Sequence, residues 1–203
     1  DRIQLDQGKN LTFKKLTEAQ SKALRQVEDA MLKHKVTLLH GVTGSGKTEL
    51  YVQLIQDQLD QGKQVLFLLP EIALTTQLIQ RSSAYFGEKI GVYHSKFNQN
   101  ERVEIWNKVL QDDAHEFRII LGARSSVFLP FQNLGLIIVD EEHEGSFKQY
   151  DPSPRYNGRD AAIVLGRMHE AKVLLGTATP SLETYTNAKQ GKYGLVSLKE
   201  RYK

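Results

Sequence analysis

Residues 36–60 read VTLLHGVTGSGKTELYVQLIQDQLD. A short apolar run closes on a glycine, the octet GVTGSGKT (41–48) follows, and a segment with helical apolar spacing leaves it. The octet satisfies G-x-x-x-x-G-K-S/T at every specified position. Glycines let backbone N–H groups turn inward around a phosphate without Cβ clashes, and the dipole of the following helix adds positive potential there. Such a loop therefore needs a buried strand to deliver it and a helix N-terminus to complete it. On this reading Gly41, Thr43, Gly44, Ser45 and Gly46 cradle phosphates, Lys47 reaches the β- and γ-phosphates in a catalytic role, and the Thr48 hydroxyl ligates Mg2+. Kinases, GTPases, transporters and motors all use this loop, so other residues must separate them.

The alternation of apolar runs and helical segments continues along the chain. LTEAQSKALRQVEDAMLK (16–33) carries Leu16, Ala23, Val27, Ala30 and Met31 at helical spacing, with Thr17 and Gln20 in capping-box positions. KQVLFLLP reads as a buried strand stopped by Pro70, with a helix expected from about Ile72 to Phe86. IGVYHS, FRIILGA, LGLIIVD and AKVLLGTATP are further strand candidates, and NERVEIWNKVLQ is another helix. Continuous apolar runs between helices indicate strands buried on both faces. The expected fold class is α/β: a three-layer sandwich around a mostly parallel central sheet. Ligands bind such sheets beyond the carboxyl ends of the strands, where the polar, glycine-rich stretches of this chain fall.

With 203 residues, 40% hydrophobic and 25% charged, one substantial core is affordable. Residues 1–15 are polar and turn-rich and read as a leader or linker; residues 16–203 read as one domain. There is no cysteine, which excludes disulfides and thiolate metal sites and permits the expected cytoplasmic location. No apolar run approaches the roughly 20 residues that span a bilayer, so no membrane partner is expected. The first residues, DRIQLDQGKN, lack a signal-peptide apolar core and a starting methionine, and read as part of a larger protein. The formal charge of +3 is too small to decide for or against nucleic acid.

LIIVDEEHE (136–144) places four apolar residues before Asp140, as expected of a buried strand handing an acid to its C-terminal end. Such an aspartate holds Mg2+ in phosphate-loop enzymes, and Glu141 beside it is suited to polarise the attacking water as a general base. The same run fits a solvated acidic turn; the phosphate loop upstream favours the metal reading. A zinc site is not expected, since there is no H-E-x-x-H and no cysteine. His143 reads as a polar coupling residue. Phe147, Tyr150 and Tyr156 downstream offer faces to bases, and Lys148, Arg155 and Arg159 offer charge to phosphates; the alternative is a long loop whose aromatics anchor it to the core.

GVTGSGKT, VDEEHE and GTATPS resemble motifs I, II and III of superfamily 2 helicases, with DEEH where relatives carry DEAH or DEAD. Adding GVTGSGKTELY, LLPEIALT, GARSSVFLPF, VDEEHEGSFKQYDPSPRYNGRDAA and GTATPSLET, the chain from Leu16 onward is similar to the primosomal replication-restart DNA helicases. The resemblance implies the first RecA-like lobe of an ATP-dependent DNA motor, with ATP and Mg2+ as ligands. Gln20 would read adenine, or it is merely a capping residue. PEIALT and GARSSVF would touch the DNA backbone through Thr75, Arg124 and Ser125. Thr177 and Thr179 would couple the hydrolysis site to DNA through His143. The implied partners are single-stranded and fork DNA, a second RecA-like lobe and other primosome proteins, with the motor itself a monomer. Such a lobe alone is expected to bind nucleotide and hydrolyse it slowly. The competing readings are another superfamily 2 translocase from repair or restriction, and a silent nucleotide switch or DNA-binding module.

Overall fold

The computed structural model describes residues 15–95 and 97–199. Apart from Lys15, the leader expected at 1–15 lies outside them. The chain alternates strands β1 (Val36–Gly41), β2 (Gln64–Leu68), β3 (Ile90–Tyr93), β4 (Ile119–Gly122), β5 (Leu134–Asp140), β6 (Lys172–Thr177) and β7 (Gly194–Leu198) with helices. The helices are α1 (Glu18–Lys33), α2 (Lys47–Asp60), α3 (Thr76–Phe86), α4 (Gln99–Gln111), α5 (Gly158–Met168) and α6 (Leu182–Lys189). The seven strands lie in the order β3-β4-β2-β5-β6-β1-β7, with every adjacent pair parallel. The α/β sandwich read from the sequence is the observed architecture.

Each face of the sheet is covered. Side chains of α1, α2 and α3 join one core, with Val27, Leu50, Tyr51 and Ile79 in it. Those of α4, α5 and α6 join the other, with Ile105, Ala162 and Ala188. Strand β5 shows why the strands are continuously apolar: Leu136 and Ile138 enter the first core, Ile137 and Val139 the second. Burying each such side chain is worth roughly 1.5–3 kcal/mol, so a polar residue on either face would be costly until the strand ends. Register then aligns the ends. Asp140 pairs with Gly176, and His40 with Thr177, so β1, β5 and β6 release their loops side by side.

The predicted capping box of α1 is present: the Thr17 hydroxyl accepts from the Gln20 N–H, and the Gln20 side chain accepts from the Thr17 N–H. The helix expected from Ile72 is shorter. Glu71–Ala73 form a 3-10 turn, and α3 starts at Thr76 because Thr75 is extended and caps it, accepting from the Leu78 N–H at 3.3 Å. Ser181 caps α6, with Pro180 just before it. Two elements have no counterpart among the sequence expectations. Helix α5 grows out of the end of the aromatic and basic stretch, and the edge strand β7 alternates buried and exposed residues.

Gly176 decides how closely β6 approaches α2. A Cβ there would lie 1.8 Å from the Tyr51 hydroxyl and 3.2 Å from the Asp140 Oδ1. Gly176→Ala should therefore push Tyr51 off its seat and lower stability by about 1–3 kcal/mol, as overpacking does. Urea unfolding measures this, and an unchanged midpoint would contradict the packing described.

Candidate active site

The phosphate loop leaves β1 at Gly41, turns through two left-handed glycines, Gly44 (φ +75°) and Gly46 (φ +79°), and runs straight into α2. The Lys47 ammonium donates to the Gly41 carbonyl at 2.9 Å, so the side chain arches back across the loop. The buried Ser45 hydroxyl has no hydrogen-bond partner, a polar atom left for something the loop would hold. Thr43 and Gly44 are exposed at its rim. Residues Thr43–Thr48, Glu49, Arg81, Asp140 and Glu141 line one cavity of about 400 Å3. Gln20 is buried against this loop, its amide nitrogen 3.5 Å from the Ser45 and Gly46 carbonyls while its oxygen completes the helix cap. Capping and contact with the loop are thus both real.

Asp140 accepts a hydrogen bond from the Tyr51 hydroxyl at 2.9 Å. Burial pushes its carboxyl up to about 6, and the Glu141 charge adds to the rise, while the Tyr51 bond and the Lys47 charge pull it down. A carboxyl so placed gains from any cation that favours its ionised form. Tyr51 itself is driven well upward, by complete burial first and then by Asp140. Glu141 follows with φ +47°, a left-handed backbone that costs a non-glycine residue roughly 1–2 kcal/mol. That turn separates the two acids. Asp140 stays against α2, while the Glu141 carboxylate lies 3.5 Å from the Thr177 hydroxyl and 3.7 Å from His143 Nδ1. His143 bridges both threonines, with Nδ1 2.8 Å from Thr177 Oγ1 and Nε2 3.2 Å from Thr179 Oγ1. Among the described residues no three His, Asp or Glu side chains form a metal cage; a Mg2+ shared with phosphates asks for only one or two protein ligands.

Beyond this cluster, the residues expected to face DNA divide. Thr75 is exposed, Arg124 and Ser125 are half-buried, and Lys148, Tyr150 and Arg155 are exposed. Phe147 is not available: at 1% exposure it sits in the core, and its ring offers no face to a base. Tyr156 is half-buried, edge-on to Phe128 at 5.0 Å with the Arg124 guanidinium 5.8 Å above it. Arg124 also donates to the Ser146 and Lys148 carbonyls. Phe147 and Tyr156 therefore anchor the loop, and of the three aromatics only Tyr150, 65% exposed, is fully presented. Arg159 is not free for a phosphate either; it is tied to Glu142, Asp160 and Ser181.

The model of the DEAD/DEAH box helicase family matches residues 17–188. The chain belongs to that family. The replication restart protein PriA of Bacillus subtilis (strain 168) is 46% identical over 188 residues, covering 92% of this chain and 23% of that protein. PriA of Rickettsia prowazekii (strain Madrid E) is 45% identical over 203 residues, covering 100% of this chain and 30% of that one. The chain thus spans about a quarter of the length of these relatives. In shape it is similar to RecG bound to a three-way DNA junction (TM-score 0.66, 24% identity, 95% of this chain and 25% of RecG). It is also similar to the DUF1998 helicase MrfA bound to DNA and AMPPNP (TM-score 0.60, 16% identity, 92% and 27%).

Within this DEAD/DEAH box helicase chain, sequence reasoning passes over Glu142. Its carboxylate is wholly buried and accepts from the Ser181 N–H (2.7 Å) and hydroxyl (3.0 Å), the Thr184 hydroxyl (2.9 Å) and the Arg159 guanidinium (3.1 Å). It thereby locks the acidic turn to the start of α6 and to α5, and holds the strained Glu141 backbone in place. The second glutamate of DEEH, where the DEAD/DEAH box of the family's name has alanine, is the trace of this in the sequence. Glu142→Ala would leave Arg159 charged and several donors unpaired, and should cost about 3–5 kcal/mol, with Glu142→Gln costing less. Chemical denaturation measures both; a loss under about 1 kcal/mol for Glu142→Ala would contradict the network.

Proposed function

We propose that this chain is the nucleotide-binding lobe of an ATP-dependent DNA helicase acting in replication restart, and that residues 16–203 form one lobe of a longer motor. The observation that carries the reading is the shared exit of β1, β5 and β6, where Lys47, Asp140 and Glu141 line one cavity and the His143–Thr177–Thr179 cluster stands against Glu141. The identity to PriA directs it toward replication restart.

In this reading the phosphate-loop N–H groups and Lys47 bind the phosphates of ATP, and Gln20 contacts the adenine from beside the loop. Thr48 and Asp140 would hold Mg2+, which would supply positive charge to the phosphates. Glu141 orients a water for attack on the terminal phosphorus and takes its proton. His143, sharing Thr177 with Glu141, passes changes in the β6 loop to that carboxylate. Thr75, Arg124, Ser125, Lys148, Tyr150 and Arg155 bind single-stranded or fork DNA, by backbone contacts and one stacked base. A second RecA-like lobe would close the cavity and contribute arginine to the transferred phosphoryl group, so this lobe alone binds nucleotide and turns it over slowly. Other primosome proteins are its expected partners, the motor acts as a monomer, and the cytoplasm is where it meets DNA.

Two substitutions test the assignment. Lys47→Ala should weaken ATP and ADP binding by about ten- to a hundredfold, as loss of a charged hydrogen bond does; unchanged affinity would remove the loop from nucleotide binding. Glu141→Gln in the whole motor should keep ATP affinity and slow DNA-stimulated hydrolysis by about 10²–10⁴. Near-normal turnover would take the base role from Glu141.

A further inference from the structure

The nucleotide cavity contains a cation that no motif predicts. Arg81, on the second turn of α3, lines the same cavity as the phosphate loop, Asp140 and Glu141. It forms an ion pair with Glu49, which follows Lys47 and Thr48 in the first turn of α2. The Glu49 side chain is only 11% exposed, whereas that of Arg81 is 42% exposed. Glu49 holds one guanidinium nitrogen, Nη2, and a guanidinium carries five N–H donors in a rigid fork.

Charge makes this placement consequential. The ionisable side chains lining the cavity are Lys47 and Arg81 against Glu49, Asp140 and Glu141, two cations facing three carboxylates. Without Arg81 a single ammonium would face three acids, in a site meant for a polyanion. Glu49 also fixes the guanidinium near the first turn of α2, the turn that points at the phosphates.

We propose that Arg81 is a second protein cation for the nucleotide, its guanidinium shared between Glu49 and the terminal phosphate of a nucleoside triphosphate. This rests on the nucleotide-binding reading above and adds to it a basis for telling triphosphate from diphosphate. Because Thr75 caps the same helix, one rigid element then carries a phosphate ligand at one turn and a DNA-facing residue at its start.

The test is the affinity of this chain for a non-hydrolysable ATP analogue and for ADP, both with Mg2+, by calorimetry. Arg81→Ala should weaken the triphosphate by about tenfold or more and ADP by less than about threefold. Glu49→Gln, which frees the guanidinium, should bind the triphosphate at least as well as the wild type. The double variant Arg81→Ala/Glu49→Gln should stay weak, because neutralising the acid does not replace the lost donors. Thermal midpoints of all variants near that of the wild type establish that the loss is local. The proposal is overturned if the double variant regains wild-type affinity, since Arg81 would then only cancel Glu49. It is also overturned if Arg81→Ala affects neither nucleotide or both alike, or if Glu49→Gln weakens triphosphate binding. Failure of the wild type to bind either nucleotide would instead overturn the site itself.

Discussion

Everything polar at the candidate site depends on the register of a parallel sheet buried on both faces. The sheet interior tolerates no charge, so Asp140 can appear only where β5 ends, and pairing with Gly176 fixes that end beside β6. The same ladder sets Thr177 next to His40 one residue before the phosphate loop begins. Three segments distant in sequence thus converge without any contact among them having to be strong. A parallel sheet delivers all its C-terminal ends to one edge, and the loops need only be short enough to stay there.

That edge holds two different kinds of acid. Asp140 remains partly inside the protein, held by Tyr51, with its carboxyl lifted to about 6 by burial. Glu141, turned aside by a left-handed backbone, faces the threonines and His143. The conformation that separates them is unfavourable by itself, and the buried Glu142 carboxylate on α6 and α5 opposes its relaxation. Strain at the turn and over-determination just after it belong together: neither would persist usefully without the other.

The sequence made the large features readable because they arise from repeated, local physics. Apolar runs reported strands buried twice, the glycine spacing of 41–48 reported the loop, and Thr17 with Gln20 reported a capped helix, all of which the structure contains. What it concealed depends on side-chain direction or distant partners. Phe147 and Tyr156 looked alike to Tyr150 in a loop of mixed composition, yet contact with Phe128, Arg124 and the second core turns the first two inward. Arg159 looked like a free cation because Glu142, its partner, is hidden in an acidic run. Arg81 and Glu49 lie 32 residues apart on different helices, and no spacing rule joins them. The strand β7 alternates in the period expected of an edge, but five residues are too few to stand out against their surroundings.

In the proposed function the cavity above β1 is a Mg2+-dependent nucleotide site. Titrating ADP into the wild-type chain, with Mg2+ and then with the cation chelated, tests this without requiring turnover, DNA or a second lobe. One saturable site per chain, weakened when Mg2+ is withdrawn, is the result predicted. Absence of saturable binding, or binding indifferent to the cation, would contradict it.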